Sequence, residues 1–303
     1  MHNYFGEIAG LLTAVFWTVT SMAFESAGKK VGSLAVNLIR LVMAFFLLGL
    51  YSWISRGVFI PTDATLYQWQ WLILSGIVGF VIGDLLLFQA FVVIGARISM
   101  LVMSLAPPFA ALMGWLLLDE VLTIKNWTGM AITLTGIIVV ILKREKSELN
   151  GSVVARLRSG YSLPGILLAL GGALGQATGL VLSKKGMGNY DAFSASQIRV
   201  VAGIAGFALL FVFMKRWMRV WAAIKNPPAM KRIAVGAFFG PFLGVSFSLL
   251  AVQHTETGIA ATLMAIVPVL IIAPSILIFH EKINAKEIIG ALITVLGIAF
   301  FFL

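Results

Sequence analysis

A chain of 303 residues in which 60% are hydrophobic and only 11% are charged, where an ordinary soluble domain carries about 25% charged residues, is not built for water. The formal charge of +10 does not point to nucleic acid, because the basic segments KREK and MKRWMR have no soluble domain around them; topology and anionic lipid headgroups explain it better. The absence of cysteine excludes disulfides, thiolate nucleophiles and cysteine-held metals.

Apolar runs of about 20 residues, the length a bilayer core asks of a helix, follow one another almost end to end. They predict spans at 5–23, 34–54, 70–93, 98–118 and 127–142, then 164–182, 195–214, 233–252, 258–279 and 287–302. A β-barrel would show alternating segments of about ten residues, and lipid admits only helices or closed barrels. The predicted fold class is therefore an all-α integral membrane protein of ten transmembrane helices. No basic region precedes the first run and no clear cleavage site follows it, so it reads as a retained span rather than a signal peptide.

The chain is written twice. A shift of 161 residues sets Gly79 on Gly240, Gly83 on Gly244, Met103 on Met264, Pro107 on Pro268, Glu120 on Glu281 and Gly136 on Gly297. In the first two spans a shift of 159 sets Gly6 on Gly165, Ala14 on Ala173 and Arg40 on Arg199. The first repeat is placed at 1–146, the second at 160–303, and 147–159 is read as a basic cytoplasmic linker. Five spans per copy is an odd number, so the second copy enters the membrane from the opposite face: two inverted five-helix repeats, an architecture shared by many secondary transporters.

Sixteen of the 22 lysines and arginines fall on the side of the loops after spans 1, 3, 5, 7 and 9, and only Arg56, Lys125, Lys184 and Lys185 on the other. The positive-inside rule then places both termini outside the cytoplasm, in a multi-pass protein of the cell (cytoplasmic) membrane.

The glycine triplets Gly171, Gly175, Gly179 and Gly236, Gly240, Gly244 repeat every fourth residue and read as helix-packing surfaces. Spans 5 and 10 have almost no polar side chains and look peripheral, whereas Met100, Met103 and Met264 near the breaking prolines suit a pliable pocket.

Arg40, Asp84 and Arg199 are the charges placed well inside spans. Each costs about 2.5–3.5 kcal/mol near a helix centre, so each needs a partner or a wet cavity, and such residues are functional candidates by default. Arg40 and Asp84 lie about 9 Å and about 15 Å from the cytoplasmic ends of their spans at about 1.5 Å per residue, which predicts that they pair. Asp84 reads either as a binder of a proton or a substrate amine, or as a strut that fixes helix register with Arg40. Arg199 is expected near the outer face, so that the two arginines guard opposite ends of one pathway, or else Arg199 snorkels.

Asn37, Gln89, Gln176 and Gln197 add hydrogen-bonding groups, and Trp17 an aromatic wall. Pro107, Pro268 and Pro274 are the helix-break candidates. Glu120 and Glu281 read as helix-start or interfacial residues. His280-Glu281 opens like HExxH, but position 284 is Asn, so no metal site is assigned.

The stretches LAPPFAALMGWLLLDEVLTIKNWTGMAITLTGIIVV and IVPVLIIAPSILIFHEKINAKEIIGALITVLGIAF, each with a proline-bearing helix, a glutamate thirteen residues on and a glycine-spaced last helix, resemble the EamA family of the drug/metabolite transporter superfamily. The resemblance spans essentially the whole chain. It implies a central cavity between spans 1–4 and 6–9, alternating access, and movement of small metabolites, often amino acids or related compounds, or of drug-like molecules. The family signature does not include Asp84, and many members look N-in by their basic loops.

The function expected is secondary transport, with lipid and a small-molecule substrate as partners, a proton as a candidate coupling ion, no other cofactor, and a homodimer left open. A polytopic assembly partner, an intramembrane enzyme and a passive channel are the alternatives. The enzyme reading suffers because no serine elbow, complete HExxH or paired-glutamate motif occurs.

Overall fold

The computed structural model describes residues 4–118, 123–149, 152–159, 161–254, 260, 263–279 and 284–302. Its first half holds α1 (Phe5–Val31), α2 (Ser33–Arg56), α3 (Leu66–Ile94), α4 (Ala96–Leu117) and α5 (Ile124–Ile141). An antiparallel hairpin, β1 (Leu142–Leu149) with β2 (Ser152–Ser159), covers the basic linker predicted at 147–159 and reaches back to the end of the fifth predicted span. The second half holds α6 (Leu163–Met187), α7 (Ala192–Met214), α8 (Trp217–Ile224), α9 (Pro227–His254), α10 (Val267–Leu277) and α11 (Ala285–Phe302).

Among the described residues, seven helices are long and apolar enough to cross a bilayer, namely α1 to α4, α6, α7 and α9. The fifth and ninth predicted spans carry shorter apolar helices, Trp127–Val140 and Val267–Leu277. Several helices begin earlier than hydropathy suggested because polar caps set their ends. Thr65 and Gln68 form a reciprocal capping box that starts α3, and the Asn226 side chain accepts from the Ala229 N–H ahead of Pro227 and Pro228 at the start of α9. The amphipathic α8 falls in what the sequence read as a loop.

Glycine seams set the packing. A Cβ on Gly175 would stand 2.6 Å from the Gly83 Cα, and one on Gly179 2.9 Å from the Gly79 Cα, so α6 and α3 touch backbone to backbone. Lipid tails are as apolar as leucine, so helices in a bilayer associate through such close packing rather than through a hydrophobic drive. The equivalent seam joins α1 to α9, where a Cβ on Gly240 would stand 2.8 Å from the Thr20 Cγ2 and one on Gly244 2.9 Å from the Trp17 Cδ1.

Equivalent helices of the two halves also pack on each other, and they run antiparallel. In α2 and α7, Leu41 meets Gly203 while Tyr51 stacks on Phe193 with centroids 4.1 Å apart, so rising numbers on one helix meet falling numbers on the other. In α5 and α11, Gly136 meets Thr294 and Gly297 meets Thr133. A pseudo-twofold axis therefore relates the halves and passes close to Met43 and Ala202.

Glu120 and Glu281 lie outside the described residues. At the end of α2, Arg56 pairs with Asp63 and bonds Ser194, and the Tyr190 hydroxyl donates to the other Asp63 oxygen at 2.9 Å. Partial burial pushes the Asp63 carboxyl up, but the hydrogen bonds from Tyr190 and Arg56 outweigh it and hold the group below its ordinary value. Its stabilising contribution is thus present above the unfolded value, about 3.9, and is lost as pH falls through the folded one. With the Asp63 side chain 44% exposed, Asp63→Asn is expected to cost less than about 1 kcal/mol, seen as a small drop in thermal midpoint at pH 7 that vanishes at strongly acid pH.

Candidate functional site

Two helices carry a wide turn at equivalent places. Ile77–Gly83 in α3 and Phe238–Gly244 in α9 are π-helical, with the Asp84 N–H reaching back to the Gly79 carbonyl and the Val245 N–H to the Gly240 carbonyl. Such turns free carbonyls and re-aim side chains, and they gather at functional sites. Asp84 is the first residue after the first of them.

From there Asp84 meets three neighbours. Its Oδ2 accepts from Arg40 Nη2 and its Oδ1 from Gln176 Nε2, while its backbone carbonyl accepts from Asn37 Nδ2 at 3.2 Å. Asn37 Oδ1 accepts in turn from Arg40 Nε at 3.1 Å, and Gln176 also donates to the Gly79 carbonyl at 3.3 Å. Arg40 and Asp84 are both 3% exposed. The Arg40 guanidinium carbon also sits 4.5 Å from the Phe88 ring centroid and 5.6 Å from that of Phe80, an arrangement worth about 0.5–2 kcal/mol per contact.

Arg199 is buried beside this cluster. Its guanidinium carbon lies 4.7 Å from the centre of the same Phe80 ring, and the Asp84 carboxylate acts on it electrostatically. The expectation that the two arginines guard opposite ends of a pathway is therefore corrected. Equivalent positions on antiparallel helices lie at equal distances on either side of the shared twofold, so the two arginines are separated by about five residues, or about 7.5 Å along the axis. Both side chains reach the same central region.

The cluster forms part of the wall of a cavity of about 330 Å³ between the two halves, within the range of small-molecule sites. Trp17, Thr20 and Ser21 of α1, Ser104, Pro107 and Ala110 of α4, Gln176 and Lys184 of α6, Pro241 and Ser248 of α9, and Met264 and Pro268 line it with Arg40, Asp84 and Arg199. Met100 and Met103 are there too. Among the described residues, neither α5 nor α11 contributes to the lining.

The prolines sit just past breaks rather than inside continuous helix. Ser104 and Leu105 form a turn, and the helix resumes at Ala106 with Pro107 in its first turn. Ala265 and Ile266 do the same before Pro268. In the first turn a missing N–H costs nothing. Pro274 likewise falls in the first turn of the stretch that resumes at Ile272 after a turn at Ile271, and among the described residues it does not line the cavity.

Gln89 and Gln197 lie away from the cluster. Gln89 accepts from the Ser33 hydroxyl at 2.7 Å, and Gln197 donates to the Phe59 carbonyl at 2.9 Å. Residues that sequence reasoning missed are Phe80, Phe88, Lys184 and Pro241. Only Pro241 had a signal, since it falls between two glycines that the internal repeat aligns with Gly79 and Gly83.

The model of the EamA-like transporter family matches residues 4–142 and 163–303. No curated protein matches the chain. A solved structure titled "Crystal structure of protein" is 17% identical, with 97% of this chain and 95% of that chain covered and a TM-score of 0.62. At that identity the likeness is one of fold alone.

Proposed function

Because the chain belongs to the EamA-like transporter family, we propose that it is a secondary transporter that moves a small metabolite across the cytoplasmic membrane by alternating access. In this reading the ten predicted spans all cross the bilayer as two inverted repeats, with both termini outside the cytoplasm. The observation that carries it is the cavity of about 330 Å³, placed where both halves meet and walled by buried polar groups from each. Interrupted helices bordering a site at a repeat interface are the usual mark of such transporters.

The Arg40–Asp84–Gln176 cluster ties α2, α3 and α6 together and gives the cavity its polar wall. The breaks before Pro107 and Pro268 give α4 and its equivalent places to bend as access alternates. Trp17 supplies an apolar surface for the cargo. A proton is the coupling ion this reading allows.

The chain has no cysteine, so a thiol placed in the cavity is the only one present. Ala110→Cys in oriented vesicles is expected to react with a membrane-impermeant thiol reagent from one side at a time, with cargo shifting the balance between sides. Reaction from both sides at once would replace the transporter reading with that of a channel. Saturable uptake into proteoliposomes across a metabolite panel is the companion measurement, and a reporter fused after Leu303 reads the orientation.

A further inference from the structure

Among the described residues, the guanidiniums of Arg40 and Arg199 stand on the cavity wall against the single carboxylate of Asp84. That carboxylate already accepts from Arg40 with one oxygen and from Gln176 with the other, and its charge is matched by the Arg40 guanidinium it pairs with.

Arg199 stands in the opposite condition. It is 3% exposed, its Nε is buried with no hydrogen-bond partner, and no hydrogen bond or ion pair engages its guanidinium among the described residues. A guanidinium carries five N–H donors in a fork that matches a carboxylate. Leaving it unpaired in a buried place is costly, and the Phe80 face and the more distant field of Asp84 offset only part of that cost. Phe88, Phe91, Leu180 and Val181 give the cavity an aromatic and aliphatic wall.

Resting on the transporter reading, we infer that Arg199 is the recognition point for the cargo's carboxylate, and that the protein carries small organic monoanions with an apolar body. Amines and cationic drug-like molecules are disfavoured. An anion entering the cavity completes the hydrogen bonding of Arg199 and reduces the excess positive charge, while the carbon skeleton lies against the aromatic and aliphatic wall.

The test uses the purified full chain, in detergent and in proteoliposomes, with three matched probe pairs: hexanoate and benzoate, hexylamine and benzylamine, hexanol and benzyl alcohol. The acids are expected to raise the thermal midpoint and to show saturable uptake, and the amines and alcohols to do neither. Arg199→Gln is expected to weaken acid binding by about tenfold to a hundredfold, the range of a charge-assisted hydrogen bond. Should the glutamine variant not fold, Arg199→Lys carries the test: it keeps the charge without the fork, so weaker acid binding than the parent's supports the assignment.

Acid binding unchanged in the folded variants overturns it. Saturable uptake confined to amines or alcohols also overturns it, and leaves transport standing. Acid binding that depends on Arg199 without any uptake does the reverse, keeping the site and removing the transporter reading.

Discussion

Replacing Asp84 by alanine is expected to cost about 3–5 kcal/mol of stability, the penalty for removing one partner of a buried ion pair. Arg40 would remain 3% exposed with Asn37 as its one hydrogen-bonding neighbour, and Gln176 would lose its carboxylate acceptor. Arg199 would lose the nearby negative charge as well, so two buried guanidiniums would be left without a counter-ion. Against a total of about 5–15 kcal/mol for an ordinary domain, that is enough to empty much of the folded population on mild heating. The check is a thermal or denaturant unfolding series in detergent. The double variant Arg40→Leu with Asp84→Leu is expected to recover most of the loss, because an apolar pair of similar volume replaces a desolvated ionic one without an orphaned charge. An Asp84→Ala protein as stable as the parent would show that Arg40 finds water or lipid headgroups instead.

The second large effect lies in the seam between α6 and α3. Gly175→Val places a Cβ that would stand 2.6 Å from the Gly83 Cα and 3.0 Å from its nitrogen. Those are backbone atoms, which have no rotamer to escape into, so the helices themselves must part. Overpacking usually costs about 1–3 kcal/mol, and a backbone clash belongs at or above the top of that range. Parting the seam also displaces Gln176 from Asp84, so transport should fall in whatever protein remains folded. Gly171→Ala on the same helix is the control. Its Cβ would meet the Leu86 Cδ1 at 2.7 Å, the far end of a flexible side chain, and a loss under about 1 kcal/mol is expected. Equal losses at the two positions would remove the claim that backbone contact holds this seam together.

The glycine spacing at 171, 175 and 179 was legible because packing surfaces in lipid demand small residues at one-turn intervals. The pairing of Arg40 with Asp84 was legible because two opposite charges at compatible depths in adjacent spans have few other ways to be neutralised. The placement of Arg199 was not. Its neighbours depend on where the twofold crosses α2 and α7, which no local sequence pattern gives. Phe80 and Phe88 were equally silent, since among the chain's 22 phenylalanines nothing local separates a ring that supports a guanidinium from one that faces lipid. The π-helical turns left only a trace, the aligned glycines at 79, 83, 240 and 244.

What the sequence determined by itself was the solvent, the helical class, the duplication and the buried charges, because each follows from composition or periodicity that lipid constrains strongly. What only the tertiary structure decided was which of those charges share a cavity and which one remains without a partner. Partnership depends on the crossing of helices far apart in the chain, and a few residues of shift along an axis turn two expected gateposts into neighbours.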